Sequence, residues 1–369
     1  MREPLQLSYV LPLRWAEDEG WEELEAYLRA TAPMVAELIV VDGSEGPLFE
    51  RHAAALEGVA AVIPPDPAFD FAMGKVNGVT TGVLAARCER VVIADDDVRW
   101  DEAGLCRVAD GLDAAHLVRP QNFFDPLPWH ARLDTGRTLL NRLHTLDAEF
   151  PVGDFPGTLG VRRSAFVATD GYDGDVIFEN FELMRTIAAA GGRVVTPLDL
   201  YVRRLPPRTS HFLGQRVRQA YDDIGLPRRL AAYLAVAPLT LFAAAMRRWG
   251  WIAAGVAAIA AMAEGGRRRA GGRSYFPWTS SLLAPVWVAE RAVSIWLAVA
   301  SRIRRGGIPY AGRVVPRAVS SSGELRGRLA GRIGDDPALG LEPDQLVGPI
   351  AEGVDPRPPA AADRDSAPA

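Results

Sequence analysis

VVIADDDVRW (residues 91–100) is the stretch on which the fold turns. Two valines and an isoleucine lead through Ala94 into three adjacent carboxylates, Asp95, Asp96 and Asp97, before the chain returns to Val98. A short apolar run of this kind reads as a buried strand. Three like charges at its end repel one another unless something neutralises them. In extended chain, residues two apart share a face, so Asp95 and Asp97 are expected to point together and Asp96 away. A cation that prefers oxygen ligands, Mg2+ or Mn2+, would neutralise such a pair, and Mg2+ typically takes one or two carboxylates together with substrate phosphates. The same residues also read as an acidic loop tip that merely closes a strand, and a bare Asp-x-Asp does not choose between the two.

Outward from this point the chain alternates. Residues 5–13 (LQLSYVLPL) are expected as a strand ending at Pro12, 21–32 as a helix, and 37–46 as a buried strand running into a Gly-rich turn. A helix at 47–57, a strand at 59–64 and a helix at 75–88 lead back to the strand before Asp95. Strands alternating with helices at this spacing predict a parallel, doubly wound α/β sheet. Ligands of such sheets bind beyond the carboxyl ends of the strands, where both Asp42 and Asp95–Asp97 fall. Residues 116–215 are more irregular. They hold a turn and strand in DFPGTLGVRRSAF (154–166), then a loop entering a helix that Gly191 and Gly192 end.

Composition narrows the function. The 369 residues are 49% hydrophobic with a net charge of −5, and that balance argues against nucleic acid as a partner. Cys88 and Cys106 are the only cysteines, too few and too unpatterned for a disulfide scaffold or a thiolate metal site. The N-terminus lacks the apolar run of a secretion signal, so the first part of the chain is expected in the cytosol. Of 41 basic side chains only Lys75 is lysine, which points to chemistry that arginine cannot perform.

After residue 228 the chain turns apolar. Residues 230–246 and 249–263 carry no charge, and arginines punctuate them at 228–229, 247–248 and 267–269. Seventeen helical residues span about 25 Å, slightly less than a hydrocarbon core of roughly 30 Å. Membrane association is expected, with a buried soluble hairpin as the competing reading. A fully spanning hairpin would place Arg247 and Arg248 outside, against the positive-inside tendency, whereas a shallow hairpin would not. The stretch 281–300, with Glu290 and Arg291 near its middle, is expected to lie in the interface. Residues 319–369, rich in Pro, Ala, Gly and Asp, are expected to be disordered.

Taken in order, these motifs resemble family 2 glycosyltransferases of the GT-A fold, above all the ceramide-glucosyltransferase-like branch. In that branch a Lys and an Asn precede the Asp-x-Asp, which Val and often Arg follow; here these are Lys75, Asn77, Asp95–Asp97, Val98 and Arg99. The turn VVDGS places Asp42 where the family has a nucleoside-contacting Asp, and GTLGVRRSAF (157–166) is similar to its donor-lining strand. Where the family has Glu-Asp with Asp as base, this chain has Glu179 and Asn180. Asn cannot accept a proton, so Glu179 is expected to act as base, with Glu182 or Asp175 in reserve. Gln215 and Arg218 match the family's Gln-x-x-Arg-Trp, with Gln219 in place of Trp.

The resemblance implies a Rossmann-like GT-A catalytic domain at 1–226 facing the cytoplasm, membrane-associated helices at 227–318 (hairpin 230–263, interfacial helix 281–300) and a tail from 319. It implies a UDP- or GDP-sugar donor bound by Asp42, Lys75, Asn77, Asp95, Asp97, Gln215 and Arg218. A Mg2+ or Mn2+ ion would sit on Asp95 and Asp97, the acceptor would be a lipid hydroxyl at the cell membrane, and transfer would invert the anomeric centre. Two other functions stay open: a nucleotide-sugar-binding protein that lost its base, which Asn180 permits, and a nucleotidyltransferase, for which VLPLRWAEDEG lacks the Gly-rich phosphate loop.

Overall fold

A computed structural model describes residues 3–144 and 157–333. The first half alternates as its hydrophobic pattern requires: β1 (Leu5–Leu13), α1 (Trp21–Thr31), β2 (Val35–Asp42), α2 (Gly46–Ala55), β3 (Ala61–Ile63), α3 (Gly74–Ala85) and β4 (Arg90–Ala94). Next come β5 (Val98–Arg99), α4 (Glu102–Ala114), β6 (Leu117–Val118), β7 (Gln121–Phe124) and α5 (Trp129–His144). Beyond the undescribed stretch lie β8 (Thr158–Arg162), α6 (Arg163–Ala168), α7 (Glu179–Ala189), β9 (Val194–Val195) and β10 (Tyr201–Arg204). Two short helices, α8 (Thr209–Gly214) and α9 (Arg216–Tyr221), precede the long α10 (Pro227–Ala245), α11 (Trp249–Arg268) and α12 (Trp278–Arg305). A hairpin, β11 (Ile308–Tyr310) and β12 (Arg313–Val315), and α13 (Ser322–Leu329) complete the described chain.

The main sheet has the order β3-β2-β1-β4-β8-β6-β9. Its first four strands are parallel, whereas β8 runs antiparallel to both neighbours, so the sheet is mixed rather than wholly parallel as expected. Residues 158–161 are buried throughout, and a strand buried on both faces carries no sequence mark of its direction. The reversal matters for the site, because it pairs Thr158, where β8 begins, with Ala94, where β4 ends. Alternation divides β1 between two cores: Leu7, Tyr9 and Leu11 pack with Trp21, Leu24 and Leu28 of α1, while Val10 packs with Val76, Val79 and Val83 of α3. A small second sheet, β5-β10-β7, lies beyond the end of β4.

The helices after residue 226 pack against the segment before it. α5, from the first segment, packs against α11 and α12 around Leu139, Leu140, Ala263, Phe276, Ala284 and Trp287. Glycine permits this closeness: a Cβ at Gly266 would stand 1.9 Å from the Leu139 carbonyl oxygen, and one at Gly136 would stand 2.9 Å from the Ala284 Cα. Glu290 and Arg291 turn inward, to Arg216 at 2.8 Å and Asp223 at 3.4 Å, so the protein rather than a headgroup layer neutralises them.

The outer faces of these helices are unusual for a water-exposed surface. Of α10 only Ala243 is buried, and Leu241 is 70% exposed. Phe242, Trp249, Trp251, Trp278, Leu282 and Val293 are exposed as well, and large exposed apolar side chains in such number on one group of helices mark an interaction surface. Among the described residues two helices, α10 and α12, are long and apolar enough to cross a membrane; α11 does not meet that test. The expected tail is ordered at its start. Ser321 and Glu324 cap α13 reciprocally, and Leu325 and Leu329 are buried beside α7. The rest of that expectation, 334–369, lies outside the described residues.

Candidate active site

The three aspartates leave β4 in a turn rather than in extended chain, with the Val98 N–H donating to the Asp95 carbonyl at 3.1 Å. Asp95 and Asp97 nonetheless converge, while Asp96 turns aside to accept from Trp15 Nε1 at 2.5 Å. Lys75, at the start of α3, reaches Asp95 Oδ1 at 2.6 Å. Arg204, at the end of β10, reaches Asp97 Oδ2 at 2.8 Å and Asp95 Oδ2 at 3.8 Å. The charge problem posed by the sequence is thus met by two cations and an indole. One acceptor stays over: Asp97 Oδ1 is buried and has no hydrogen-bond partner, an expensive state for a carboxylate oxygen.

Gly157 is part of this arrangement. Its carbonyl accepts from the Asp95 N–H at 2.7 Å, and a Cβ there would stand 2.1 Å from Asp95 Oδ2. A side chain at 157 would therefore displace the carboxylate that Lys75 grips.

The same ammonium joins the aspartates to α7. Lys75 Nζ lies 3.0 Å from Glu179 Oε1 and donates to Asn180 Oδ1 at 3.3 Å. Burial would lower the pKa of Lys75, but Asp95 and Glu179 outweigh it and hold the ammonium charged. Burial likewise opposes ionisation of Glu179, yet Lys75 and then Arg218 hold its carboxyl below the usual range. Buried Tyr172 stands by the same charges, and burial pushes its phenol up. Lys75, Asp95, Glu179 and Asn180 thus form one cluster at the carboxyl end of the parallel strands.

Other expected residues fare differently. Asp42 is buried, its oxygens taken by His52 Nδ1 at 2.6 Å and by the Ser44 N–H at 2.8 Å. It closes an Asx-turn within the protein. Asn77 accepts from the Phe71 N–H at 3.0 Å and so braces the loop before α3. Gln215 bonds to His211 and Gln219 and lines a cavity of about 80 Å3 together with Asp97, Asp134, Arg204 and His211. Arg218 lies over the Tyr310 ring at 5.3 Å, with its field on Glu179. The reserve bases are committed elsewhere. Glu182 is buried and accepts from the Ser320 N–H at 2.9 Å, and Asp175 accepts from the Ala72 N–H at 2.9 Å.

The sequence reading missed Arg204, Gly157 and Asp222. The pair Arg203–Arg204 at the end of a strand was the available signal for the first. Asp222 follows α9, and burial, opposed by Arg218 and aided by Asp223, pushes its carboxyl up to about 8. Below that pH the folded chain keeps a proton that the unfolded chain releases above about 4, so folded stability falls as pH rises between the two values. The thermal midpoint of Asp222→Asn is therefore expected to gain on that of the wild type from about pH 5 to pH 8. Parallel midpoint curves would show that Asp222 ionises normally.

No family model matches the chain, and no curated protein matches it. Among solved structures it is similar to a mannosyltransferase from Pyrobaculum calidifontis in complex with GDP-Man and Mn2+. That match has 18% identity and a TM-score of 0.46, covering 79% of this chain and 87% of the other. It is also similar to glucosyl-3-phosphoglycerate synthase from Mycobacterium tuberculosis in complex with Mn2+ and UDP-Glc, at 19% identity and a TM-score of 0.40, covering 58% and 76% of the two chains. A mycobacterial protein matches at 22% identity and a TM-score of 0.37, covering 56% of this chain and 69% of the other. None of these likenesses is close enough to transfer chemistry, which rests on the residues of this chain.

Proposed function

We propose that the chain is a membrane-associated, metal-dependent glycosyltransferase that moves a sugar from a nucleotide diphosphate sugar to a lipid hydroxyl, with its catalytic portion on the cytosolic side. The observation that carries this reading is the cluster at the end of β4: Lys75 bridging Asp95 and Glu179, with Arg204 on Asp97 and Arg218 nearby. Cations beside paired carboxylates suit a substrate that brings both a diphosphate and a divalent ion. GDP-Man and UDP-Glc, named for the similar structures, belong to the donor class proposed here.

The residues present fit Mg2+ or Mn2+. Asp95 and Asp97 offer hard oxygen donors, and the orphaned Asp97 Oδ1 is a free one. Among the described residues no group of three or more His, Cys, Asp or Glu is gathered for a metal, as befits an ion that substrate phosphates help to hold. When bound, the ion would supply neutralisation of the charge on the departing diphosphate. Arg218 supplies further positive charge from the protein. Glu179, kept ionised by Lys75, takes the acceptor hydroxyl proton as that oxygen bonds to the anomeric carbon and the bond to diphosphate breaks. A single displacement of this kind inverts the anomeric centre.

The exposed apolar face of α10, α11 and α12, with Trp249, Trp251 and Trp278 on it, supports membrane seating beside a poorly soluble acceptor. The test is nucleotide diphosphate release by the full chain in nanodiscs, given UDP- and GDP-sugars, Mg2+ or Mn2+, and a total lipid extract. Release is expected to need the metal and to disappear with chelator and in Asp97→Asn. Gly157→Ala is expected to lose about 100-fold or more in kcat, because displacement of a charged catalytic group by an ångström is that costly. Near-normal turnover in Gly157→Ala would mean that the position of Asp95 is unimportant. Donor binding without release under any condition would favour the baseless binding protein that Asn180 permits.

A further inference from the structure

We propose that Glu290 and Arg291, the adjacent charges in the middle of the apolar helix α12, are positioning residues that hold α9 and the turn after it, and so set Arg218 toward Glu179 and Gln215 into the cavity beside Asp97. The inference rests on the transferase reading for its catalytic consequence, but its structural content stands without it.

Charges in the middle of a long apolar helix are costly unless partners meet them. Glu290 Oε2 accepts from Arg216 Nη2 at 2.8 Å. The same guanidinium donates through Nη1 to Asp134 Oδ1 of α5 at 3.2 Å and to Gln219 Oε1 at 2.9 Å, and it lies 4.6 Å from the centre of the Phe212 ring. Arg291 lies 3.4 Å from Asp223 Oδ2, and the other oxygen of Asp223 pairs with Arg229 of α10 at 3.0 Å. Burial opposes ionisation of Asp134, but Arg137, Arg216 and Arg291 outweigh it and hold its carboxyl below the usual range. A buried charged layer therefore joins α5, α9, α10 and α12.

α9 has only six residues, fewer than two turns, too short to keep its own direction in water. Its orientation must come from what grips it. Residues 216 and 218 are about 200° apart around a helix, so a grip on one points the other away. Arg216 is held on the α12 side, and Arg218 accordingly faces Tyr310 and Glu179. Tyr310 belongs to the hairpin that follows α12, so α9 lies between α12 on the Arg216 side and that hairpin on the Arg218 side. The apolar outer face of α12 and the donor-facing guanidinium are thereby linked through two ion pairs.

The experiment compares Glu290→Gln, Glu290→Asp, Arg291→Met and the double variant Glu290→Gln/Arg216→Met with wild type, as full chains in nanodiscs. Steady-state kinetics, thermal midpoints and amide hydrogen exchange are measured on each. Glu290→Gln and Arg291→Met are expected to lower kcat by roughly tenfold or more while the acceptor KM stays within about twofold. Glu290→Asp should recover part of the loss, and the double variant should be no worse than Glu290→Gln, as members of one network are not additive. Exchange should quicken in residues 209–226 and stay unchanged in β1–β4. Unchanged kcat and exchange in both single variants would overturn the proposal, as would faster exchange across the whole chain with activity tracking the thermal midpoint. If wild type releases no nucleotide diphosphate from any donor, the transferase reading falls alone. Exchange then decides: quickening confined to 209–226 upholds the positioning role, and no change removes it.

Discussion

Glu179→Gln is expected to abolish transfer while leaving donor binding nearly intact. Loss of a general base typically costs about 10²- to 10⁴-fold in rate, and the two carboxylates expected in reserve are occupied. Glu182 is bound to the Ser320 amide and Asp175 to the Ala72 amide. Asn180, beside Glu179 and also within reach of Lys75, has no proton to exchange. Because Lys75 and Arg218 hold Glu179 below the normal carboxyl range, it stays ionised through the neutral region and serves as a proton acceptor without a prior deprotonation. A second substitution sharpens the test. Asn180 Oδ1 already accepts from Lys75 Nζ at 3.3 Å, so Asn180→Asp in the Glu179→Gln background places a carboxylate in the same ammonium's field. Partial recovery of transfer is expected there. Both the loss and the recovery are read from nucleotide diphosphate release and labelled product. Full activity in Glu179→Gln would remove Glu179 from the mechanism, and the search for a base would move to Asp222, whose raised pKa also suits proton transfer near neutral pH.

The second large effect concerns the apolar face. Replacing Leu241, Phe242, Trp249 and Trp251 together by Ser is expected to shift the protein from the membrane fraction to the soluble one, lowering vesicle partitioning by more than about 100-fold. Each of these side chains contributes roughly 1.5–3 kcal/mol when fully withdrawn from water, and four of them exceed that shift even when burial is partial. All four are exposed on the folded chain, so the change should leave the sheet and the cluster at the end of β4 intact. Thermal unfolding and donor binding in detergent check that point. Retention in the membrane fraction would mean that α12 alone seats the chain, or that α10 and α11 meet a protein surface instead.

Much of the site was legible from residues alone, for identifiable reasons. Like charges at the end of a strand demand neutralisation wherever the chain goes, so Asp95 and Asp97 announced a site before their partners were known. Lys75 stood out as the single lysine, and the folded chain sets it at the start of α3 within contact of Asp95 and Glu179. Asp42 shows the limit of the same logic. It too ends a buried strand, but a histidine ten residues on and its own turn satisfy it, and pairing at that range leaves no trace in a strand-end pattern.

Periodicity and end-of-strand charge are local properties, and by themselves they determined the elements up to β4 and the position of the carboxylates. Everything that depended on direction or on a distant partner was decided by tertiary structure. The antiparallel course of β8, which brings Gly157 to Asp95, could not be read from a strand buried on both faces. Arg204 reaches Asp97 across 107 residues of sequence, and Glu290 and Arg291 found their partners inside the protein instead of at a membrane surface. A charge states in sequence that it needs a counter-charge, but Coulomb attraction acts through space, and only the folded chain selects which distant side chain supplies it.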